Sequence, residues 1–208
     1  MLQGCKSPAS FRLDFREITN LEYNASMRKV RRDRDLPQYV PDYYAESVST
    51  IDFELLAQKG IECVAFDADS TLVPFSLLPF REKHIDAEVL KKLLIARKKF
   101  AHWIVASNRP TNDLQDLARS IDADVVRASL LLRKPRKAYY ERVIEQAGVH
   151  PEKIAMVGDK LVADIFGANR MGLTTVWVKK IGKDNPFDRI FRLRSIEKWL
   201  IKRYVKDE

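Results

Sequence analysis

ECVAFDADST, residues 62–71, begins as a short apolar run and breaks abruptly into carboxylates and hydroxyls. A run of this length, with Val64 and Phe66 among small residues, reads as a strand buried on both faces. The pattern recurs four times downstream: AHWIVASN (101–108), ADVVRA (123–128), KIAMVGD (153–159) and TTVWVK (174–179). Helix-length stretches separate these runs, from about Asp86 to Lys99, after Thr111-Asn112-Asp113, from Arg136 to Gly148, and from Leu161 to Met171. Thr, Asn and Asp cap helix starts, and Gly148 and Gly172 stand where a helix stops. Buried strands alternating with helices require a parallel sheet covered on both sides. The expected fold is therefore α/β, doubly wound and Rossmann-like.

Upstream of the first strand, DYYAESVSTIDFELLAQKGI (42–61) reads as a short helix followed by a second one ending at Gly60. The core domain is expected over residues 36–178. It is flanked by a basic N-terminal extension, 1–35, and a basic C-terminal segment, 179–208. The 208 residues carry a net charge of +8, and its placement is informative. Residues 1–35 hold eight Lys/Arg against five Asp/Glu, residues 179–208 ten against five, and the core nineteen of each. The excess sits wholly on the two ends, which suits attraction to a polyanion such as nucleic acid or an anionic lipid surface.

Several classes are excluded. Seven Gly and nine Pro in 208 residues rule out collagen-like and low-complexity chains. Two cysteines, Cys5 and Cys63, cannot make a disulfide framework or a thiolate zinc site. Cys63 lies in an apolar run and is expected to be an inert, reduced thiol. No run approaches ~18 uninterrupted apolar residues, so no transmembrane helix is expected. The N-terminal stretch lacks an apolar signal core. The expected location is the cytoplasm, with peripheral contact at the inner membrane face.

In open parallel sheets, ligands bind at the carboxyl ends of the strands. Those ends deliver Asp67, Asp69 and Thr71, then Ser107 and Asn108, then Lys134, then Asp159 and Asp164. Carboxylates without a His or Cys companion suit a hard cation, and magnesium is the natural choice. A lysine beside them would balance a phosphate. Asp67 and Asp69 are two apart and share one side of an extended chain. One can attack phosphorus to give an aspartyl-phosphate, and the other can act as general acid and then general base.

These residues resemble the four motifs of the haloacid dehalogenase (HAD) superfamily. DADST (67–71) matches the Asp-x-Asp-x-Thr motif, and Ser107 the lone hydroxyl after the second strand. Lys134 in RKP matches the third motif, and GDKLVAD (158–164) the fourth. The resemblance implies a phosphoric monoester hydrolase, since dehalogenases of the superfamily lack the second Asp. It implies Asp67 as nucleophile and metal ligand, and Asp69 as acid/base that also gives the metal its backbone carbonyl. Asp159 would complete the metal site with Asp164 supporting it, while Thr71, Ser107, Asn108 and Lys134 would hold the phosphate.

Superfamily members usually cover the site with a cap domain. Here neither gap has room: about thirty residues separate Thr71 from the second strand, and Asn108 to Lys134 spans one helix and one strand. A capless site suits a substrate presented by something large, with an oligomer partner serving as lid the alternative. The stretch from LPQYVPDYY through GANRMGLTTVWV is similar to the capless YqeG group, which includes the phosphatidylglycerophosphate phosphatases of mitochondria and plastids. That resemblance implies an anionic phospholipid substrate at a membrane surface and no stable nucleic-acid partner. From Pro186 to Tyr204, Ile190, Leu193, Trp199 and their apolar neighbours interleave with Arg189, Arg192, Lys198 and other cations. This reads as a basic amphipathic helix, either docked on the sheet or lying on lipid. Two further readings stay open: a phosphatase of nucleic-acid ends or phosphoproteins, and a non-catalytic polyanion-binding module.

Overall fold

The computed structural model describes residues 27–30, 37–75, 84–109 and 114–182. Among these residues, seven strands form one sheet: β1 (Arg28–Lys29), β2 (Tyr43–Ala45), β3 (Cys63–Phe66), β4 (His102–Ser107), β5 (Asp124–Arg127), β6 (Ile154–Gly158) and β7 (Thr174–Val178). Their spatial order is β1-β2-β7-β6-β3-β4-β5, and every pair is parallel except β1 with β2. β3 sits near the middle, with Cys63 facing both His102 of β4 and Ile154 of β6. All four of its residues are buried. A central parallel strand covered on both faces has no polar side, which is why its sequence does not alternate.

The helices divide between the two faces. On one face lie α1 (Phe53–Gln58), α2 (Ala87–Arg97) and α3 (Leu114–Ser120), whose Phe53, Leu56, Leu93 and Leu117 pack with Val64, Phe66, Trp103 and Val105. On the other, α4 (Lys137–Ala147) and the segment after β6 bring Tyr139, Tyr140, Val143 and Ala168 against Cys63, Ala65, Ile104 and Met156. Successive strand residues thus feed opposite cores, as the period of two demands. Phe53, Phe66, Phe100 and Trp103 form an aromatic cluster with ring centroids 4.9–6.4 Å apart. Burying each such ring stabilises the fold by about 1.5–3 kcal/mol.

Local signals start and stop the helices. Asp52 Oδ1 accepts from Leu55 N at 2.9 Å at the start of α1. Asp86 Oδ1 accepts from Glu88 N and Val89 N at the start of α2. Gly148, at φ +64°, ends α4 in the left-handed region open to glycine. Cys63 is buried, and that burial pushes its thiol up to about 12, as an inert cysteine requires.

Two expectations need correcting and a third is refined. Tyr43–Ala45, read as a short helix, is strand β2: Tyr43 and Ala45 are buried and Tyr44 is half-buried, a period of two too short to stand out. It gains its conformation by pairing with β7, Tyr43 opposite Val176, a contact more than a hundred residues away along the chain. Arg28–Lys29, placed in the N-terminal extension, form edge strand β1, with Met27 and Val30 buried beside it. The expected helix from Leu161 to Met171 is present but wider at its start: a π-helical turn, Leu161–Phe166, runs into a short α-helix, Gly167–Asn169. The expected amphipathic helix at Pro186–Tyr204 and the extension up to residue 26 lie outside the described residues. Among those residues, the segments after Thr71 and after Asn108 hold no cap domain, and no helix is long and apolar enough to cross a membrane.

Candidate active site

Four neighbouring strands, β6, β3, β4 and β5, end on one rim of the sheet, and the loops leaving them carry the polar groups. Asp67 follows β3 directly, its N–H still donating to Val157 O of β6 at 2.8 Å. Ser70, at φ +66°, turns the chain, and its N–H donates to Val73 O at 2.7 Å, folding Asp69–Val73 into a tight loop. The carboxyl end of β6 supplies Asp159, and the wide turn that follows supplies Asp164 from within it. Carboxylate oxygens of Asp67, Asp159 and Asp164 all lie within 4.8 Å of one another, and all three residues are buried.

Lys134 reaches into this group from the loop after β5. Its ammonium donates to Asp67 Oδ1 at 2.7 Å, to Asp164 Oδ1 at 2.6 Å and to Ala106 O at 2.9 Å, using all three donors. The surrounding cationic run divides here: Lys134 is buried while Arg133, Arg136 and Lys137 are exposed. Asn108 holds the lysine's backbone from both sides, accepting from Lys134 N at 2.7 Å and donating to Lys134 O at 3.1 Å. Asp164 is fixed on its other oxygen by Lys160 N at 3.0 Å. Behind it, Tyr140 Oη donates to the carbonyls of Ala163 and Asp164. Gly158 has no room for a side chain, because a Cβ there would overlap the Asp164 carboxyl group.

Burial dominates the electrostatics. Loss of water pushes the Asp67 carboxyl up to about 7; Lys134 pulls it down, and the negative Asp164 and Asp159 push it up further. Burial also pulls the Lys134 ammonium down, but Asp164 and Asp67 outweigh it and hold it well above the ordinary lysine value. Within the buried cluster, three carboxylates gather around one ammonium. An all-oxygen set of buried carboxylates fits a hard divalent cation.

The remaining expected residues are placed as follows. Thr71 is buried, and its hydroxyl donates to Asp159 Oδ1 at 3.5 Å. Ser107 is buried at the end of β4, where its Oγ accepts from Arg109 N at 3.1 Å. Asn108 spends both ends of its amide on Lys134, so it positions the lysine rather than facing a substrate. The Asp69 side chain stands apart from the three clustered carboxylates. Arg109 grips it with a two-pronged contact, Nε to Oδ2 at 3.1 Å and Nη2 to Oδ1 at 2.9 Å. Arg109 is the residue that sequence reasoning missed. Its only signal was its position, one residue beyond Ser107-Asn108 on the same rim.

Among the comparisons with known proteins, a family match falls on part of the same site. The HAD-hydrolase-like family model matches residues 131–190. The chain is 28% identical to phosphatidylglycerophosphate phosphatase 1, chloroplastic/mitochondrial, of Arabidopsis thaliana, over 88% of this chain and 52% of that protein. It is 19% identical to the probable phosphatase YqeG of Bacillus subtilis, over 78% of this chain and 90% of that one. A solved HAD phosphatase from Thermococcus onnurineus aligns at 16% identity with a TM-score of 0.49, covering 61% of this chain and 90% of that one. The chain spans about half, or less, of the length of the first curated relatives it matches. The family match begins in the loop that carries Lys134 and runs through Asp159 and Asp164, so it covers three of the four charged groups of the buried cluster, and in this stretch the chain is similar to the HAD-like hydrolases.

Proposed function

We propose that the chain is a magnesium-dependent phosphoric monoester hydrolase that works through an aspartyl-phosphate and acts on phosphatidylglycerophosphate at a membrane surface. The observation that carries this reading is the buried meeting of Asp67, Asp159, Asp164 and the Lys134 ammonium at the ends of neighbouring parallel strands. The Arabidopsis relative's name supports the lipid substrate, and the absence of a cap among the described residues supports a substrate too large to be enclosed.

In this reading Asp67 acts as the nucleophile. Lys134 holds its Oδ1, and among the described residues no group donates to Oδ2, so one oxygen is left for attack. That oxygen forms the bond to phosphorus while the ester oxygen leaves, taking a proton from Asp69. Water then cleaves the aspartyl-phosphate and returns its proton to Asp69. Arg109 occupies both oxygens of Asp69, so each proton transfer requires the fork to open at one of them. Ser107 and Thr71 stand at the rim to hold phosphate oxygens, and Lys134 balances their charge. Asp67, Asp159 and Asp164 would hold magnesium, which when bound neutralises phosphoryl charge.

Phosphate release from phosphatidylglycerophosphate in detergent, with magnesium and with a chelator, tests the reading directly. The expected result is magnesium-dependent release by the wild type and none by Asp67→Asn. Turnover of a phosphorylated oligonucleotide with none on the lipid would replace the lipid by nucleic-acid ends as substrate. Full activity of Asp67→Asn would remove the mechanism.

A further inference from the structure

The loop between β5 and Lys134 presents two adjacent leucines to solvent at the catalytic rim. Leu130 is 93% exposed and Leu131 74% exposed. Single exposed leucines are ordinary; a tandem pair this open, at the tip of a turn, is not explained by folding. The turn is braced. Ser129 N donates to Leu132 O at 2.7 Å, Leu132 N to Ser129 Oγ at 3.2 Å, and Arg136 Nη1 to Leu131 O at 2.9 Å. Bracing means the leucines cannot fold back onto the core without breaking these bonds, so their exposure is built in.

The chemistry around the tip is cationic. From Arg127 to Tyr140 there are five Lys/Arg and no acidic residue. Lys134 is consumed by the site, while Arg133, Arg136 and Lys137 are exposed beside the leucines. An apolar point ringed by cations matches one environment: an anionic bilayer, with acyl chains below a layer of phosphates. A nucleic acid would meet the cations and leave the leucines wet.

We propose that residues 129–133 are a membrane-docking finger. Leu130 and Leu131 enter the outer acyl region, the Arg133 and Arg136 guanidinium groups lie at the phosphate layer, and the open site three residues further along the chain faces the headgroups. This inference rests on the lipid-phosphatase reading and extends it. It assigns the surface that brings the capless site to its substrate.

The test compares the full chain with Leu130→Ser/Leu131→Ser by co-sedimentation with phosphatidylcholine vesicles containing phosphatidylglycerol, alongside hydrolysis of a soluble aryl phosphate. The double variant is expected to lose at least about tenfold in vesicle partitioning, as two leucines leaving the acyl region should cause, with soluble turnover unchanged. A Leu131→Trp protein is expected to be quenched by vesicles with brominated acyl chains, beyond the quenching of the native tryptophans. Equal partitioning of wild type and double variant, or no added quenching, overturns the finger. So does a wild-type dimer in light scattering that the double substitution dissociates, since the leucines would then pair two copies. The lipid-substrate reading fails separately: vesicle binding that depends on the leucines, without phosphate release from phosphatidylglycerophosphate, leaves the finger standing and removes that substrate.

Discussion

Two ion pairs flank β3, one at each end of the strand, and their N···O distances are the same. At the amino end, Lys153 Nζ lies 2.7 Å from Glu62 Oε1, with the side chains 45% and 43% exposed. At the carboxyl end, Lys134 Nζ lies 2.7 Å from Asp67 Oδ1, with the side chains 2% and 8% exposed. Water screens the first pair and solvates either partner when the other is lost. The second pair has no such refuge, and it shares its lysine with Asp164. Distance therefore says little about what an ion pair does; the medium decides. One end of the sheet is tied off, and the other concentrates charge where a reaction can use it.

The strongest way to break this contrast is through chemistry. Asp67→Asn is expected to lower aryl-phosphate turnover by at least about 10³-fold, since the proposed mechanism makes Asp67 the nucleophile, with an unchanged far-UV circular dichroism spectrum. Lys134→Met comes next. Asp67 and Asp164 would face each other without a counter-charge, and urea unfolding is expected to show a loss of about 3–5 kcal/mol. Gly158→Ala forces a methyl group into the space of the Asp164 carboxyl group. It should cost about 1–3 kcal/mol as an overpacked core site and weaken magnesium binding in calorimetry.

The pH response sharpens the comparison further. Burial raises the Asp67 carboxyl to about 7 in the folded chain, from an ordinary value near 3.8. Between those values the folded metal-free protein binds more protons than the unfolded one. Its stability contribution from Asp67 therefore falls as pH rises toward about 7. Asp67→Asn lacks this dependence, so the Tm of the variant minus that of the wild type should increase from pH 4 to pH 8 in scanning fluorimetry without metal. The smallest effect belongs to the exposed pair: Lys153→Ala should leave Tm unchanged within error, and a shift as large as that of Lys134→Met would erase the distinction between the two ends.

What the sequence reveals follows how local the determining interactions are. The five apolar runs from 62 to 179 were legible because a buried parallel strand writes its environment into consecutive residues, as in Cys63–Phe66 and Ile154–Gly158. Asp67, Lys134, Asp159 and Asp164 were legible because strand ends of such a sheet face one rim. Tyr43–Ala45 was not, because three residues hold too little pattern and their partner is Val176. Arg109 escaped notice because its meaning depends on Asp69, forty residues earlier along the chain, which only the closed fold brings within reach. Asp164, expected in support, is a full member of the carboxylate cluster, since the wide turn swings it inward.

Asn108 bonds to both the N–H and the carbonyl of Lys134, and so works as a mechanical stop. Force applied to the leucine-tipped loop by a bilayer or any other load reaches that clamp before it reaches the ammonium. The tip can then rock, sink or be remodelled by mutation while the charge at the reaction centre keeps its place. On the proposed function and docking, the landing surface can change without retuning the chemistry behind it.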